Sequence, residues 1–347
     1  MNRLVKGIGM ALLTLIAIAL SAWGALAIYY SDLQSELLRT SLAVVFGLFG
    51  LVALYAFVLG PWRWPAAGAF LGTFLGVVAW WTTIEPSNAR YWRPEVARLP
   101  YATQDGKLIT LHSIRDFEYR SESDFTPRYY DQTFDLDQLD SVDLIASYWM
   151  GPAIAHIFVT FGFCGQDYVA VSAETRTERG EGYSSLKGFF KQYEIIYMVG
   201  DERDLIGLRT NYRKAPPEEV YLYRVRAPIE NMRRFFMDYI RAINSLKEQP
   251  EFYNTLTTNC TTNVLIHTRV NPGHPRYSWK VLLSGYFPEY AYEAHRLDTR
   301  LPFEELRKRS RINAIAAAAG TGLDFSQRIR AGLPDPMEAH AEAGRID

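Results

Sequence analysis

The sequence predicts an α+β domain carried behind three membrane-spanning helices. Two observations carry that reading. The first 83 residues hold three long apolar stretches with no charged residue inside any of them. From about Glu85 the composition turns to an ordinary globular mix, in which strand-like and helix-like periods alternate. A length of 347 residues suits two such units better than one.

The apolar stretches run over residues 7–29, 41–60 and 64–83. Each has about the 20 residues that a bilayer-spanning helix needs. The length of the first, and the two spans behind it, argue for an anchor rather than a cleaved signal. Arg3 and Lys6 precede the first span, Asp32, Glu36 and Arg39 lie in the first link, and Arg63 separates the second and third spans. Positive charge at the start and at the second turn places both inside, so the chain after Thr83 emerges outside. Trp62, Trp64, Trp80 and Trp81 suit the membrane interface. The expected organisation is an anchor over 1–84, a linker over 85–104, a domain over 105–322 and a flexible tail over 323–347.

Within the domain, residues 108–119 interleave β-branched and aromatic residues with charges and read as a strand. Residues 155–163 read as a buried strand, a turn follows at 164–167, and residues 168–175 form the second arm of a hairpin. Residues 193–199 and 219–225 read as further strands. Residues 229–246 carry apolar side chains at helical spacing. A glycine-rich loop over 180–185 lacks the Gly-Lys-Ser/Thr ending of a phosphate-binding loop.

Composition narrows the function. With 37 basic and 38 acidic residues, no broad nucleic-acid-binding surface is implied. Two cysteines make no disulfide framework, though they could form one bridge. The six histidines, at 112, 156, 267, 274, 295 and 340, do not suggest a zinc site, and no cofactor is expected.

Cys260 is the foremost candidate for chemistry. Asn259 and the neighbouring threonines are helix-capping residues ahead of an apolar run, so a helix opens at or just after Cys260. The positive end of a helix lowers a thiol pKa and favours the nucleophilic thiolate. A thiol nucleophile needs a base, and the base an orienting group. His267 lies seven residues along the same helix, about 10 Å away, too far to serve. His112 stays possible, and His156 starts the strongest strand. Pairing across the hairpin turn brings His156 beside Ser172 and Glu174, and Glu174 could hold the imidazole as an acid does in a triad. The structural alternatives are a satisfied core histidine, a Glu174 paired with Arg176 or Arg179, and a Cys164–Cys260 disulfide.

Several blocks then resemble one family in order. They are Gly151-Pro152-Ala153-Ile154-Ala155-His156, Phe161-Gly162-Phe163, Ser172-Ala173-Glu174-Thr175-Arg176, Gly180-Glu181-Gly182-Tyr183-Ser184, Gly200-Asp201-Glu202-Arg203-Asp204, Leu208 to Arg213, Phe252-Tyr253-Asn254 and Asn259-Cys260-Thr261-Thr262. Together they resemble the periplasmic domain of the Lnb-type lipoprotein N-acyltransferases, over roughly residues 105–290. The arrangement is also similar to the permuted papain-like fold of lecithin:retinol acyltransferases and NlpC-type hydrolases. The resemblance implies Cys260 as nucleophile and His156 as base. One departure is plain: in that family membrane helices follow the domain, whereas here they precede it.

The resulting expectation is a thiol acyltransferase on the periplasmic side of a bacterial inner membrane. It would move an acyl chain from a membrane lipid or lipoprotein ester, through a Cys260 thioester, to an amine. Asn259, Ser172, Tyr253, Arg209 and Arg213 are candidate substrate contacts. The two arginines could meet phosphate head groups, or pair with Asp201, Glu202 and Asp204. Two alternatives stand beside it: a Cys–His hydrolase acting on peptidoglycan amides or lipid esters, and a non-enzymatic envelope assembly or sensor domain with its cysteines bridged.

Overall fold

Three apolar helices open the chain in the computed structural model, which describes residues 2–333. They are α1 (Asn2–Tyr29), α2 (Glu36–Leu59) and α3 (Arg63–Thr82). All three are long and apolar enough to cross a membrane. Ser35 caps α2 by accepting a hydrogen bond from the Leu38 N–H. Leu12, Leu15, Val45, Leu48, Leu51 and Val52 point outward and stay exposed, as side chains facing lipid would. Small residues set the close crossings. A Cβ on Gly24 would collide with the Phe46 ring, and one on Gly50 with the Ser21 side chain.

These helices belong to one of two units into which the chain divides. The first unit also takes in Tyr183–Glu194 and Phe252–Thr255. Phe190 packs against Trp23 and stacks on Tyr30. Lys191 Nζ donates to the carbonyls of Trp81 at 3.1 Å and Ile84 at 2.9 Å, satisfying orphan acceptors at the end of α3. The continuous domain expected over 105–322 is therefore interrupted, because these aromatic and cationic side chains find partners among the first unit's helices.

The second unit comprises Asn88–Gly182, Ile195–Glu251 and the chain from Leu256 onward. Its strands are β1 (Tyr101–Asp105), β2 (Leu108–Arg115), β3 (Glu118–Tyr119), β4 (Phe125–Thr126), β5 (Tyr129–Asp135), β6 (Leu139–Tyr148), β7 (Ala155–Phe163), β8 (Asp167–Arg176), β9 (Glu194–Gly200) and β10 (Glu219–Arg224). Eight of them form one sheet in the order β1-β2-β9-β8-β7-β6-β10, with β5 added against β2. β3 and β4 make a separate small pair. The helices are α4 (Glu202–Gly207), α5 (Ile229–Glu248), α6 (Cys260–Thr268), α7 (Trp279–Leu282), α8 (Phe287–Glu293), α9 (Phe303–Arg309), α10 (Asn313–Ala319) and α11 (Phe325–Arg328). The expected α+β class is what the chain adopts.

β7 is buried at every residue, and its alternation explains why. Phe158 joins a core with Leu205 and Ile206 of α4, Ala316 of α10 and Phe325 of α11. Phe161, on the opposite face, packs against Phe235, Phe236 and Tyr239 of α5. A strand covered by helices on both faces reads as a continuous apolar run rather than an alternating one.

The expected linker and the first part of the expected flexible tail are folded. In the expected linker, Trp92 is buried beneath the Arg176 guanidinium, which also donates to the carbonyls of Val96 and Ala97. In the expected tail, Phe325 and Ile329 are core residues, and Arg330 bridges Glu202 and Asp143 at 2.6 and 2.8 Å. Polar and small residues mislead here because a few buried anchors hold the segments down. The rest of the expected tail, including His340, lies outside the described residues.

Candidate active site

Cys260 is the first residue of α6, and Asn259 is its N-cap. The Asn259 Oδ1 accepts from the N–H groups of Thr261 at 3.0 Å and Thr262 at 2.8 Å. This closes two of the donors that every helix start leaves open. Asn259, expected to touch substrate, therefore has a structural task that holds the nucleophile's helix. The thiol is partly buried and free. The His156 ring and the backbone N–H of Ile157 act on its sulfur electrostatically, and the Thr261 hydroxyl lies 3.7 Å away.

The hairpin delivers the other half of the site. β7 and β8 pair with Phe163 opposite Asp167 and Val159 opposite Val171. Continued along the strands, that register sets His156 beside Ser172 and Glu174. The turn between the strands is Cys164-Gly165-Gln166, one residue shorter than expected, with positive φ at Cys164 and Gly165. His156 Nε2 lies 2.7 Å from Ser172 Oγ and 2.9 Å from Glu174 Oε1. Ser172 Oγ donates to the same carboxylate oxygen at 2.9 Å. Since Ser172 donates its only proton to Glu174, Nε2 carries the hydrogen and donates to both. Nδ1 is then the ring nitrogen left for the thiol.

The start of β7 is held from outside. The Ala155 N–H donates to Ser284 Oγ at 2.9 Å, and the Gly285 N–H donates to the Ala153 carbonyl at 3.0 Å. A Cβ on Gly285 would collide with the Pro152 carbonyl, so only glycine lets this loop approach.

Arg209 sits behind Glu174, with Nη2 on Oε1 at 2.9 Å and Nη1 on the Leu205 carbonyl at 3.0 Å. Its other carboxylate neighbour is Glu218, which Arg213 holds at 2.6 Å and to which the Ser147 hydroxyl donates. Arg213 also approaches Glu122. Neither arginine pairs with Asp201, Glu202 or Asp204 as expected, and Arg209 is buried inside the site rather than offered to a head group. The Asp201 carboxylate is held by Arg203 and Asp204 by Arg115. Glu174 has neither expected partner: Arg176 turns to Asn88 and the 96–97 carbonyls, and Arg179 lies over the Tyr91 ring.

The electrostatics follow from these contacts. Burial pushes the His156 pKa down, but the Glu174 carboxylate and the Cys260 sulfur outweigh it and raise it to about 9. Burial alone would raise the Glu174 pKa, yet His156, Arg209 and the hydrogen bond from Ser172 hold it well below the usual carboxylate range. Burial also opposes the Cys260 thiolate, and His156, the Ile157 N–H and the Thr261 hydroxyl lower its pKa despite that. The resting pair is thus biased towards thiolate and imidazolium.

The other candidates fall elsewhere. His112 Nδ1 pairs with Asp131 at 2.7 Å and Nε2 with Thr103 at 3.0 Å, under the Tyr101 ring. Tyr253 lies in the first unit, its N–H donating to the Tyr193 carbonyl at 2.9 Å. Cys164 is exposed at the turn and free. It stands just past the opposite end of β7 from His156, about 26 Å along the chain direction. A disulfide needs Cα atoms within about 7 Å, so the expected alternative of a bridged domain does not fit this fold. Sequence reasoning missed Ile157, and it named Arg209 as a substrate contact rather than as the partner of Glu174. Ile157 adjoins His156 and acts through its backbone, while nothing local marks Arg209 as the partner of a residue on β8. Among the described residues no His/Cys/Asp/Glu group is arranged to hold a metal ion.

No curated protein and no solved structure matches the chain. Residues 125–285 match the family described as the Lnb N-terminal periplasmic domain. That span contains His156, Ser172, Glu174, Arg209 and Cys260, and in the chain it follows three helices long and apolar enough to cross a membrane.

Proposed function

We propose that this protein is a membrane-anchored thiol acyltransferase of the cell envelope, with Cys260 as nucleophile, His156 as its proton partner and Glu174 as the orienting carboxylate. The observation that carries the reading is the Cys260–His156–Glu174 chain, with the thiolate favoured and the carboxylate locked by Arg209. The thiolate attacks the carbonyl carbon of a lipid or lipoprotein ester and forms a C–S bond. As the tetrahedral intermediate collapses, the ester C–O bond breaks and His156 gives its proton to the departing alcohol. An amine then attacks the thioester, a C–N bond forms, the C–S bond breaks, and the amine proton returns to His156. The thiolate is regenerated.

Asn259 already engages the Thr261 and Thr262 N–H groups, which leaves the Cys260 N–H itself as the donor at the helix start for the oxyanion. Orientation of the helices with the domain on the periplasmic side of an inner membrane belongs to the same reading, as does a permuted papain-like ancestry. Anchoring keeps the enzyme in the plane of its substrate and raises the effective concentration.

Intact mass spectrometry of the purified full chain, incubated with phospholipid and a diacylated lipopeptide, tests this. Wild type should gain an acyl-sized, hydroxylamine-labile adduct that Cys260→Ser and His156→Ala lack, and the lipopeptide should gain the same mass. An adduct with release of free fatty acid only would make the protein a hydrolase. No adduct on wild type with any lipid ester would overturn acyl chemistry.

A further inference from the structure

His267 is too far along α6 to touch Cys260, yet it is buried at the centre of a second polar cluster. Its Nδ1 lies 2.8 Å from Asp238 Oδ2 on α5, and its Nε2 lies 2.7 Å from the Tyr197 hydroxyl on β9. That hydroxyl donates to Asn263 Oδ1 at 2.8 Å. Asn263 Nδ2 in turn donates to the Asn259 carbonyl at 2.9 Å. The Tyr239 ring lies against His267 with centroids 3.9 Å apart.

A continuous strut therefore runs from α5, through β9, to the capping residue next to Cys260. It cannot relay protons to the thiol, because the Asn263 amide does not ionise and breaks the path. What it can do is fix rotation and translation of α6 on the sheet. Tyr197 joins the helix at two points a turn apart, residues 263 and 267, and the contact through Asn263 ends on Asn259. The position of the Cys260 sulfur relative to His156 and the Ile157 N–H depends on that placement.

We propose that Tyr197, His267 and Asn263 are positioning residues that set the Cys260 thiolate, an inference that rests on the proposed role of Cys260. Burying the Tyr197, Asn263 and His267 side chains is costly unless each is satisfied, and this cluster satisfies them by tying three elements together. Loss of one link lets α6 shift, lengthens the Cys260–His156 contact and raises the thiol pKa.

The test measures alkylation of Cys260 by iodoacetamide against pH, in full-length protein with the exposed Cys164 changed to Ser. Thermal melting is followed in parallel. Tyr197→Phe, which removes only the hydroxyl, should lower the alkylation rate at pH 7 about fivefold and move the profile to higher pH. His267→Gln, which retains a hydrogen bond to Tyr197, should restore most of what His267→Leu loses. Phe325→Leu, on α11 beneath the opposite face of the sheet, should lower the melting temperature without moving the profile.

A Tyr197→Phe profile superimposable on its parent overturns the proposal. So does a profile shift that Phe325→Leu reproduces at equal loss of melting temperature. An unreactive Cys260 in the parent is a separate failure: it removes the nucleophile, and with it both readings.

Discussion

Two buried histidines, His156 and His267, each sit against a carboxylate, yet only one of them also faces a cysteine. Both ring nitrogens of His267 are engaged by fixed partners, Asp238 and Tyr197. His112 shows the same pattern with Asp131 and Thr103. His156 has one nitrogen held by Ser172 and Glu174, and the ring meets a thiol on its remaining side. A His–carboxylate pair is therefore not a site in itself. What the second nitrogen faces decides whether the ring moves a proton or braces a helix.

The carboxylates differ as well. The two are similarly exposed, but Asp238 pairs with His267 and the exposed Arg241, whereas Glu174 is held by His156, Ser172 and the buried Arg209. A carboxylate taking several charge-assisted hydrogen bonds keeps its charge, and that charge keeps His156 protonated.

The largest expected effect breaks the comparison at its reactive end. Cys260→Ser and His156→Ala should each reduce acyl transfer by about a thousandfold or more, measured as lipopeptide mass gain per unit time. His267→Leu should leave turnover detectable in the same assay. Equal loss from both histidines would dissolve the distinction.

The pH profile comes next. The proposed mechanism needs the Cys260 thiolate and the His156 proton together. It should rise as pH climbs through the lowered thiol pKa, below the ordinary value of about 8.5, and fall through about 9 as His156 deprotonates. These are apparent values of the pair. Glu174→Gln removes the charge that raises His156, so the alkaline limb should move down towards about 6.5. An alkaline limb unmoved by that change would remove Glu174 from its role.

Stability carries the same signs. The His156 pKa is raised on folding, so its contribution is fully present below about pH 6.5 and is lost as pH rises through about 9. The Glu174 pKa is depressed, so its contribution is present above about pH 4.3 and is lost on acidification below that. Melting temperature against pH, compared between wild type and Glu174→Gln, should show both flanks shrink in the variant.

Smaller effects sharpen the picture. Gly285→Ala pushes against the Pro152 carbonyl ahead of His156 and should cost about 1–3 kcal/mol of stability by denaturant unfolding. Cys164→Ser, at an exposed turn, should change stability by less than about 0.5 kcal/mol and activity not at all. A large effect there would revive a role for the second cysteine.

Much of this was legible in the chain because it depends on local chemistry. Absence of charge over some twenty residues marks a bilayer-spanning helix whatever surrounds it. A capping Asn before an apolar run opened α6 at Cys260, and the period of two in a hairpin put Ser172 and Glu174 on one face beside His156. Tertiary structure alone decided the rest. Arg209 meets Glu174, and Tyr197 meets His267, across stretches of chain that carry no record of the distance they fold over. The same holds for Arg330, whose polar surroundings read as a tail until Glu202 and Asp143 close on it. Local periodicity comes from covalent geometry and can be read in order. The partner of a buried charge is set by which elements pack together, and only the folded chain specifies that.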